Sequence, residues 1–400
     1  MSTVTTAEAP HSSIDPFSAD FLADPLPHQE TLRELGPVVY LDAYDVFAVA
    51  RYAEVHQALT DWQSLQSGAG VGLANFRQEK PWRPPSLLLE ADPPRHDAPR
   101  AVLTALLSAR RLRALEEQWR ADAVSVVEEL LEGGPEFDGV TDLAEVFPLR
   151  VFPDAVGIGK SGREHLLPYG DFAFNAFGPQ NDLLQRAGEN IAPSIAWIGE
   201  QCKRENLDDQ GFGSQIWDAA DRGEITHEQA PFVVRSLLTA GVDTTVTGIA
   251  SLLHAVAASP GAWERLRADR SLLPRAFEEA VRWESPVQTF FRTTTAPIEI
   301  AGVSIPPERK VLMFLGAANR DPRRWSDPDR FDLDRDPSGH VGFGMGIHQC
   351  VGQHVARLEA VTVLDALLDR IETIELAGAP VRHLNNTLRG SERILLRFSA

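Results

Sequence analysis

The pattern of apolar and polar positions divides the chain into a short strand-rich part and a long helical part. β-Branched and aromatic residues dominate positions 38–41 and 46–50, and this pattern predicts a strand hairpin. From Asp97 to about Glu284 apolar residues recur at spacings of three and four, which predicts mainly helices. One such helix covers 101–133 and stops at a pair of glycines.

A second long helix is predicted from about Thr226 to Ser259. It opens with a capping-box pattern, in which Thr226 is followed three residues later by Gln229. The segment is apolar on most sides, so we expect it to run through the core. A polar run at 243–245 interrupts it.

After Ser285 the chain alternates apolar and polar residues again, which predicts strands over 298–305 and 311–315. A stretch rich in proline, aspartate and arginine at 319–337 predicts irregular structure, and 351–370 returns to a helical pattern. The last part of the chain is therefore expected to mix strands, irregular structure and a helix.

The sequence contains neither an internal repeat nor a flexible linker, and its composition is close to ordinary globular usage. We therefore predict a mainly α fold with a minor β region, in a single large domain over 1–400 whose residues 1–27 form an N-terminal extension. Against 57 Asp and Glu there are only 38 Lys and Arg, a net charge of −19. This charge disfavours nucleic acid and anionic membranes as partners.

The first thirty residues lack the basic segment and apolar run of an export signal, and no run of 18 uninterrupted apolar residues occurs in the sequence. The two cysteines, Cys202 and Cys350, lie far apart, which is compatible with a reducing compartment. These features predict a cytoplasmic protein that does not span a membrane. They leave open whether either thiol is a ligand.

The surroundings of Cys350 favour a ligand. A glycine-rich run from Phe343 to Cys350 leads directly into the last predicted helix. A thiol at a helix N-terminus gains from the helix dipole and from free N–H groups, and both lower its pKa. Glycines such as Gly344 let the backbone approach a flat cofactor closely. A lone cysteine is usually structural, but this spacing favours a metal-bound thiolate.

The run Phe-Gly-x-Gly-x-His-x-Cys-x-Gly at 343–352 resembles the haem-binding signature of the cytochrome P450 family at every fixed position. Two more segments resemble that family in the expected order: 240–245 its oxygen-activation motif, and Glu279-x-x-Arg282 its acid–arginine pair. The resemblance covers essentially the whole chain. It implies the cytochrome P450 fold, haem b as cofactor with Cys350 as the iron ligand, and O2 as co-substrate.

The resemblance also implies how the cofactor is held. In the family the acid–arginine pair locks with an arginine of the irregular stretch, for which Arg330 and Arg335 are both candidates. Two buried haem propionates need cationic, hydrogen-bonding partners. The implied partners are His96, Arg100, Arg292 and His348. The cofactor loop contributes Phe343 and Gly344.

The polar interruption of the core helix is the candidate for proton delivery. Asp243 can relay a proton from solvent, and the Thr244 hydroxyl can hydrogen-bond the distal oxygen through water. A helical threonine often bonds its own chain four residues back, and we adopt that interpretation for Thr245. For Thr244, the neighbouring Gly241 is expected to make room for the ligand. This acid–alcohol pair favours a monooxygenase over a non-catalytic haem sensor or carrier.

The source of electrons is expected to be a separate protein. The chain has no flavin or nicotinamide fingerprint and no ferredoxin cysteine cluster. An iron–sulfur ferredoxin with its NAD(P)H-dependent reductase is the expected donor. Despite the net negative charge, Arg110, Arg111 and Arg113 are expected near the docking side, because local charge governs docking more than the total.

Two cationic positions suggest an anionic substrate. Arg83 and Ser86 lie in a stiff, proline-bounded loop, and Arg235 and Ser236 lie on the core helix before Thr244. Burying Arg235 without a partner is costly, so a negative charge must lie nearby. The residues alone leave two sources equally open, a bound anion or an internal salt bridge.

Around these positions the sequence is similar to the bacterial para-methoxybenzoate O-demethylases within the family. The similarity implies a para-substituted benzoate, with Arg83, Ser86 and Ser236 binding the carboxylate and Arg235 behind them. The implied walls of the ring pocket are Leu89, Phe174, Phe177, Val287 and Phe290, with Ala240 facing the haem. Thr239 stands where those relatives have serine, which adds a methyl group near the pocket. A hydroxylase of a terpene or macrolide is the alternative.

Overall fold

Helices dominate the structure, a computed structural model that describes residues 8–399. The α-helices are α1 Ala19–Ala23, α2 Pro25–Leu35, α3 Tyr52–Thr60, α4 Asp97–Leu106, α5 Ala109–Leu112, α6 Glu116–Leu131, α7 Val146–Val156, α8 Leu166–Asn175, α9 Asp182–Gly188, α10 Ala192–Gln201, α11 Phe212–Asp221, α12 Ala230–Ala240, α13 Asp243–Ala258, α14 Ala262–Ala268, α15 Leu273–Glu284, α16 Leu315–Asn319 and α17 Gln353–Leu368. Tighter 3-10 turns lie at Arg163–His165, Arg204–Asn206, Arg270–Leu272 and Gly346–His348, and a π-helical turn at Gly139–Ala144.

Strands form a smaller part of the molecule. They are β1 His11–Ser12, β2 Val39–Leu41, β3 Val46–Val49, β4 Leu65–Gln66, β5 Glu136–Asp138, β6 Thr289–Thr294, β7 Ile298–Ile300, β8 Val303–Ile305, β9 Lys310–Phe314, β10 Thr373–Leu376, β11 Val381–Leu384, β12 Arg389–Arg393 and β13 Leu395–Ser399. The larger sheet has the order β1-β2-β3-β9-β6-β4, and a smaller one the order β10-β13-β5. The prediction of a mainly α fold with a minor β region is confirmed.

Several local predictions are confirmed by the pairing of strands. β2 and β3 form the expected antiparallel hairpin, with Val39 opposite Ala48. β7 and β8 pair antiparallel over 298–305, and β9 lies in the middle of the larger sheet between β3 and β6. Each of these segments alternates or concentrates β-branched and aromatic residues, which pack well on a pleated surface.

The helix predicted over 101–133 is instead three helices, α4, α5 and α6. The chain leaves the helical conformation at Ser108, whose ψ of 144° is extended, and α5 starts there. Serine is favoured where a helix begins, so the break falls at a residue suited to it. As a result α4 packs against α11, whereas α6 packs along α17.

The predicted core helix also breaks, between α12 and α13. Its start is as expected, because Thr226 and Gln229 exchange the two hydrogen bonds of a capping box. At the break, the Thr244 hydroxyl donates to the Ala240 carbonyl at 2.8 Å, so a side chain occupies an acceptor that a continuous helix would give to a backbone N–H. Gly241 lies at this point because a Cβ there would collide with the Phe152 ring.

Residues 8–27 of the predicted N-terminal extension are packed onto the larger sheet. β1 pairs in parallel with β2, and Phe17 and Phe21 are buried against the larger sheet. Burying two aromatic side chains ties this segment into the core. Residues 1–7 of the predicted extension lie outside the described residues.

Within residues 8–399, one stretch is long and apolar enough to cross a membrane by length and composition, Ala230–Ala258. Of its most apolar window, 67% is buried inside the protein. It is the segment of α12 and α13, and α13 packs against α15 and α17. This stretch therefore lies in the core, as the sequence pattern predicted, but as two helices instead of one.

Candidate active site

One large cavity lies between the α12–α13 segment and the loop that precedes α17. Its empty space is about 1710 Å³, counting the part that opens to solvent. The cavity brings together most of the predicted site residues. These are Arg83, Ser86, Leu89, Arg100, Phe174, Phe177, Arg235, Ser236, Thr239, Ala240, Thr244, Val287, Phe290, Arg292, Phe343, Gly344, His348 and Cys350. Asp243 and His96 do not line it.

Cys350 ends a tight loop three residues before α17 begins. Its backbone N–H donates to the Phe343 carbonyl at 2.8 Å, which closes the loop. Gly344 and Gly346 have φ angles of 67° and 68°, in the left-handed region where glycine is favoured. Gly344 lines the cavity, whereas a Cβ on Gly346 would lie 3.0 Å from the Leu59 carbonyl of α3. Gly344 therefore lets the loop backbone lie against the cavity, and Gly346 lets it lie against α3.

The expected lowering of the Cys350 pKa is wrong in its net direction. Burial raises the pKa of this thiol. The backbone N–H groups of Gly352 and Gln353 and the charges of Arg100 and Arg357 lower it, but by less. A metal cation on the sulfur reverses the balance, because a coordinating thiol is deprotonated outright. Cys202, by contrast, is buried away from the cavity, and burial raises its pKa to about 12.

Next to the Cys350 loop lie buried nitrogen atoms without hydrogen-bond partners. Nε2 of His96 and Nε2 of His348 are buried and make no hydrogen bond within residues 8–399, and the carboxylate of Asp92 lies 3.7 Å from His348 Nε2. The two imidazole rings meet edge to face, with centroids 4.9 Å apart. Burying polar atoms unpaired is costly, so these atoms fit a ligand with acceptor groups.

Two arginines, Arg292 and Arg100, line the same cavity as Cys350 and His348. Arg292 is 3% exposed, and within residues 8–399 its side chain donates only to the carbonyl of its neighbour Phe291. Burial lowers its pKa to about 10, although the charge of Asp92 acts in the opposite direction. Arg100 donates to the Gln349 carbonyl at 2.5 Å, and no carboxylate pairs with either arginine in the described chain. These four side chains fit the two carboxylates of a haem, as the resemblance implied.

The donor set near Cys350 also fits haem rather than a bare metal ion. Residues 8–399 contain no group of three or more His, Cys, Asp and Glu that could hold a metal ion. A haem iron takes four ligands from its own macrocycle, so one protein thiolate on one side is sufficient.

The acid–arginine pair lies beneath this loop, fully buried. The guanidinium of Arg282 donates to both carboxylate oxygens of Glu279, at 2.7 and 2.8 Å. Arg335 supplies the third member, because its Nε donates to Glu279 Oε1 at 3.0 Å. Arg330 contributes its main-chain carbonyl to Arg282, not its side chain. Of the two candidates left open by the sequence, the partner of Glu279 is therefore Arg335. Its ion pair connects the irregular stretch to α15.

Thr244 and Thr245 both bond their own chain four residues back. The Thr244 hydroxyl donates to Ala240 and the Thr245 hydroxyl to Gly241, at 2.8 and 3.2 Å. Both threonines line the cavity, but Thr244 lies at the break and is partly exposed, whereas Thr245 is 4% exposed. The space left by Gly241 is filled by the Phe152 ring, so the expectation that it makes room for the ligand is wrong.

Asp243 lies on the side of α13 that faces α8. A Cβ on Gly170 would be 2.9 Å from the Asp243 Cβ, so α8 approaches closely there. Burial, and next the negative charge of Asp171, raise the pKa of Asp243 to about 7, while His383 acts in the opposite direction. Asp171 in turn binds His383 at 2.8 Å. The carboxyl group of Asp243 is therefore able to take up and release a proton near neutral pH.

Phenylalanines form one wall of the cavity. Phe174 and Phe177 lie edge to face with centroids 5.8 Å apart, and Phe177 and Phe290 lie in the same way at 5.8 Å. Leu89 and Val287 pack against this cluster. The wall is thus apolar and well packed, which suits a flat, small ligand.

The cationic end of the cavity contains an ion pair that the sequence analysis missed. Arg83 donates to Glu90 Oε2 at 2.8 Å, and both side chains are buried, 9% and 1% exposed. The same oxygen accepts the Ser86 N–H at 2.7 Å. The internal salt bridge considered for Arg235 therefore occurs at Arg83. In the sequence, Glu90 is the first carboxylate after the proline-bounded loop, and this closeness could have indicated it as the partner of Arg83.

Arg235 has no carboxylate partner within residues 8–399. Its guanidinium donates to the Pro84 carbonyl at 2.7 Å, which also accepts from Arg83 at 3.1 Å. Burial lowers the pKa of Arg235, and the charge of Arg83 adds to this effect. Because the guanidinium stays protonated at any physiological pH, the charge that remains uncompensated at this end of the cavity is that of Arg235.

Two hydroxyl groups complete the cationic end. Ser86 Oγ accepts the N–H groups of Leu88 and Leu89, at 3.2 and 3.1 Å. Its own proton points to Ser236 Oγ at a long 3.4 Å, an acceptor that a carboxylate can replace. Ser236 Oγ lies 3.4 Å from Ser86 Oγ and donates to the Phe232 carbonyl at 3.0 Å. This end of the cavity therefore offers one preset hydroxyl donor beside two guanidinium groups.

The site combines a thiol just before a helix N-terminus, two arginines without a carboxylate partner in residues 8–399, and a broken helix across the cavity. This combination fits a haem protein with thiolate ligation. A protein-family model described as Cytochrome P450 matches residues 177–388, more than half of the chain. The chain belongs to the cytochrome P450 family. It is a cytochrome P450 monooxygenase that uses haem b as cofactor and O2 as co-substrate.

Curated relatives and solved structures match over nearly the full length. Cytochrome p450 CYP199A2 of Rhodopseudomonas palustris is 57% identical over 393 residues, which is 98% of this chain and 95% of that protein. The β-dihydromenaquinone-9 omega-hydroxylase of Mycobacterium tuberculosis is 30% identical and covers 96% of this chain and 78% of its own. The structure of cytochrome P450 CYP109Q5 from Chondromyces apiculatus is similar with a TM-score of 0.81, 30% identity and coverage of 97% and 98%.

Proposed function

We propose that this monooxygenase oxidises para-substituted benzoates and removes the methyl group of 4-methoxybenzoate. One methyl C–H bond becomes C–OH, and the resulting hemiacetal breaks into 4-hydroxybenzoate and formaldehyde. The second oxygen atom of O2 leaves as water, and the step consumes two electrons and two protons. The bound haem supplies the activation of O2.

The observation that carries this proposal is the charge at one end of an otherwise apolar cavity. Arg235 is uncompensated there, and Ser86 has a hydroxyl proton to donate. A carboxylate between them gains charge-assisted hydrogen bonds, each worth about 1.5–3 kcal/mol. A neutral terpene or macrolide would leave the half-buried Arg235 charge without a carboxylate partner in residues 8–399.

The remaining cavity residues fit the ring of such a substrate. Phe174, Phe177 and Phe290 wall the cavity on the side of α8 and β6. Leu89 and Val287 extend that wall, and Ala240 and Thr239 lie on α12. Arg83 takes part through its unpaired Nε atom rather than through a free charge, because its charge is matched by Glu90. The similarity of these segments to the para-methoxybenzoate O-demethylases supports the same substrate class.

The substrate class is tested by comparing an acid with its neutral amide. We expect 4-methoxybenzoate to produce the low-to-high spin shift, and 4-methoxybenzamide to bind about ten to a hundred times more weakly, because the amide cannot neutralise Arg235. Arg235→Met should narrow that difference. The measurement is a spectral titration of the purified holoenzyme.

A matched pair of serine variants controls for general damage. Ser86→Ala removes the preset donor and should weaken binding of the acid, whereas Ser304→Ala, on the exposed face of β8, should leave it unchanged. Equal binding of acid and amide by the natural protein would contradict the proposal and favour a neutral terpene or macrolide.

Proton delivery is assigned to Asp243 and Thr244. The Asp243 carboxyl group titrates near neutral pH, and the Thr244 hydroxyl lies at the helix break on the cavity side. By rotating away from the Ala240 carbonyl, the hydroxyl can hold a water molecule or bound oxygen. Both residues thus act on protons and neither has to bind the substrate.

Thr244→Ala should bind substrate and consume reductant, but divert much of it to hydrogen peroxide. Without the hydroxyl, this chain would no longer deliver protons in order, and O2 would be released as H2O2 with two electrons and two protons instead of oxidising the substrate. The ratio of formaldehyde formed to NAD(P)H consumed measures this loss. Thr245→Ala, whose hydroxyl is buried in the helix, is the control, and unchanged coupling in Thr244→Ala would remove that residue from the mechanism.

The electron donor is proposed to be an iron–sulfur ferredoxin with its NAD(P)H-dependent reductase, in the cytoplasm. Exposed arginines on and after α5 support an acidic partner, namely Arg110, Arg111 and Arg113. α5 packs against α17, the helix that follows Cys350, so a partner docked there is on the thiolate side of the cofactor. Two unpaired cysteines are compatible with a reducing compartment.

A further inference from the structure

Glu90 has no role in the proposed function, yet it is one of the most buried carboxylates near the cavity. Its side chain is 1% exposed. A single oxygen, Oε2, accepts both the Arg83 guanidinium at 2.8 Å and the Ser86 N–H at 2.7 Å. Burying a charged carboxylate costs desolvation free energy. A neutral acceptor would satisfy the same two donors without that cost, so the hydrogen bonds alone do not explain a charge at this position.

The charges at this end of the cavity can be counted. Arg83 and Arg235 line it, and Glu90 pairs with Arg83. The other groups that influence Arg235 are a phenol, Tyr169, and the thiol of Cys202, which is neutral because burial raises its pKa to about 12. Two positive charges and one negative charge leave one positive charge for a ligand.

Lys310 is the remaining ionisable group close to Glu90. Its ammonium donates to the carbonyls of Ala69 and Gly70, at 3.2 and 2.8 Å, and it does not line the cavity. Burial lowers its pKa to about 7. Arg100, Arg292 and His348 line the other end of the cavity, beside the Cys350 loop, where the haem carboxylates account for them.

We propose that Glu90 restricts the substrate to a single negative charge. This inference rests on the proposed function, which places the substrate carboxylate at Arg235 and Ser86. A monoanion brings the charge of this end to zero. A dianion would leave one negative charge buried without a partner, and a neutral ligand one positive charge, and either is unfavourable away from water.

The variant Glu90→Gln removes the charge and little else. An amide oxygen in the position of Oε2 can accept from both Arg83 and Ser86, so the loop keeps its hydrogen bonds. The side chain keeps its length. Two positive charges then face the ligand, and the variant is expected to favour a dianion.

Two probes of nearly the same shape separate charge from size. They are 4-methoxybenzenesulfonate, a monoanion, and 4-methoxyphenylphosphonate, which is mainly a dianion at about pH 8.5 and mainly a monoanion at about pH 6. Spectral titrations of the holoenzyme at the higher pH give the ratio of the two dissociation constants. We expect the natural protein to prefer the sulfonate, and Glu90→Gln to shift the ratio by about ten- to a hundredfold toward the phosphonate.

Two further variants show whether the charge itself is responsible. Glu90→Asp keeps the charge and should keep the preference for the sulfonate. Glu129→Gln breaks an exposed ion pair with Arg150, far from the cavity, and should change neither dissociation constant. If Glu90 had only a structural role, Glu90→Gln would weaken the binding of both probes and leave the ratio of their dissociation constants unchanged.

The natural protein alone provides a second test, which stands even if Glu90→Gln fails to fold. Its affinity for the phosphonate, relative to that for the sulfonate, should rise as the pH falls from about 8.5 to about 6. The sulfonate keeps its charge over this range, so any change in its own dissociation constant reports the titration of protein groups such as Lys310. An unchanged ratio in Glu90→Gln, or a pH-independent ratio in the natural protein, would overturn the inference. Failure of the natural protein to distinguish 4-methoxybenzoate from its amide would instead overturn the proposed function.

Discussion

Cys350→Ala is expected to lose the red-shifted Soret band of the reduced, CO-bound protein, together with all monooxygenase activity. The band requires a thiolate on the iron, and Cys350 is the cysteine that lines the cavity at the start of α17. Its neighbours His348 and Arg100 remain in the variant, so haem is expected to be retained in part through its carboxylates. The absorption spectrum of the reduced protein under CO measures the result.

Cys202→Ala is the matched control for this prediction. Cys202 is buried outside the cavity, where its carbonyl accepts the Trp217 indole N–H, a main-chain contact that alanine preserves. Its CO spectrum should equal that of the natural protein. A red-shifted band that persists in Cys350→Ala would contradict the assignment of the ligand.

The second large effect is expected for the buried triad under the haem loop. Glu279→Gln should lower the free energy of unfolding by about 3–5 kcal/mol, because Arg282 and Arg335 would keep their charges in the interior without a carboxylate. Urea titrations followed by far-ultraviolet circular dichroism, at matched haem occupancy, measure this loss. Haem content after purification should fall with it, since the triad holds the irregular stretch in place.

Two arginine variants make this prediction specific. Arg335→Ala removes the side chain that binds Glu279 and the carbonyls of Ser326 and Asp327, so it should be strongly destabilising. Arg330→Ala keeps the carbonyl through which Arg330 contacts Arg282 and should cost little. Equal effects of the two variants would show that the ion pair is not what stabilises this region.

Local patterns in the sequence were sufficient for the elements whose stability is local. The hairpin of β2 and β3, the capping box at Thr226 and the helix after Cys350 were all predictable, because the deciding contacts lie within a few residues. The break between α12 and α13 was not, since a polar run such as 243–245 can also occur within a continuous helix. The Phe152 ring, far away in the sequence, requires the glycine there.

The candidate site divides in the same way. The thiolate loop was predictable because its signature is a continuous run, in which Cys350 and the positive-φ glycines are adjacent. The choice between Arg330 and Arg335 was not, because both occur in one irregular stretch with identical chemistry. Only the folded chain brings the Arg335 guanidinium, and not that of Arg330, to Glu279.

The sequence by itself predicted the family, Cys350 as the iron ligand and the presence of cationic side chains near one cavity. Tertiary structure decided which of those cations is matched: Arg83 by Glu90, and Arg235 by no carboxylate of residues 8–399. The physical reason is that a charge acts through space over a few ångströms, and its partner is set by how loop and helix pack. The chemistry of each residue is therefore readable along the chain, whereas the net charge offered to a ligand depends on the fold.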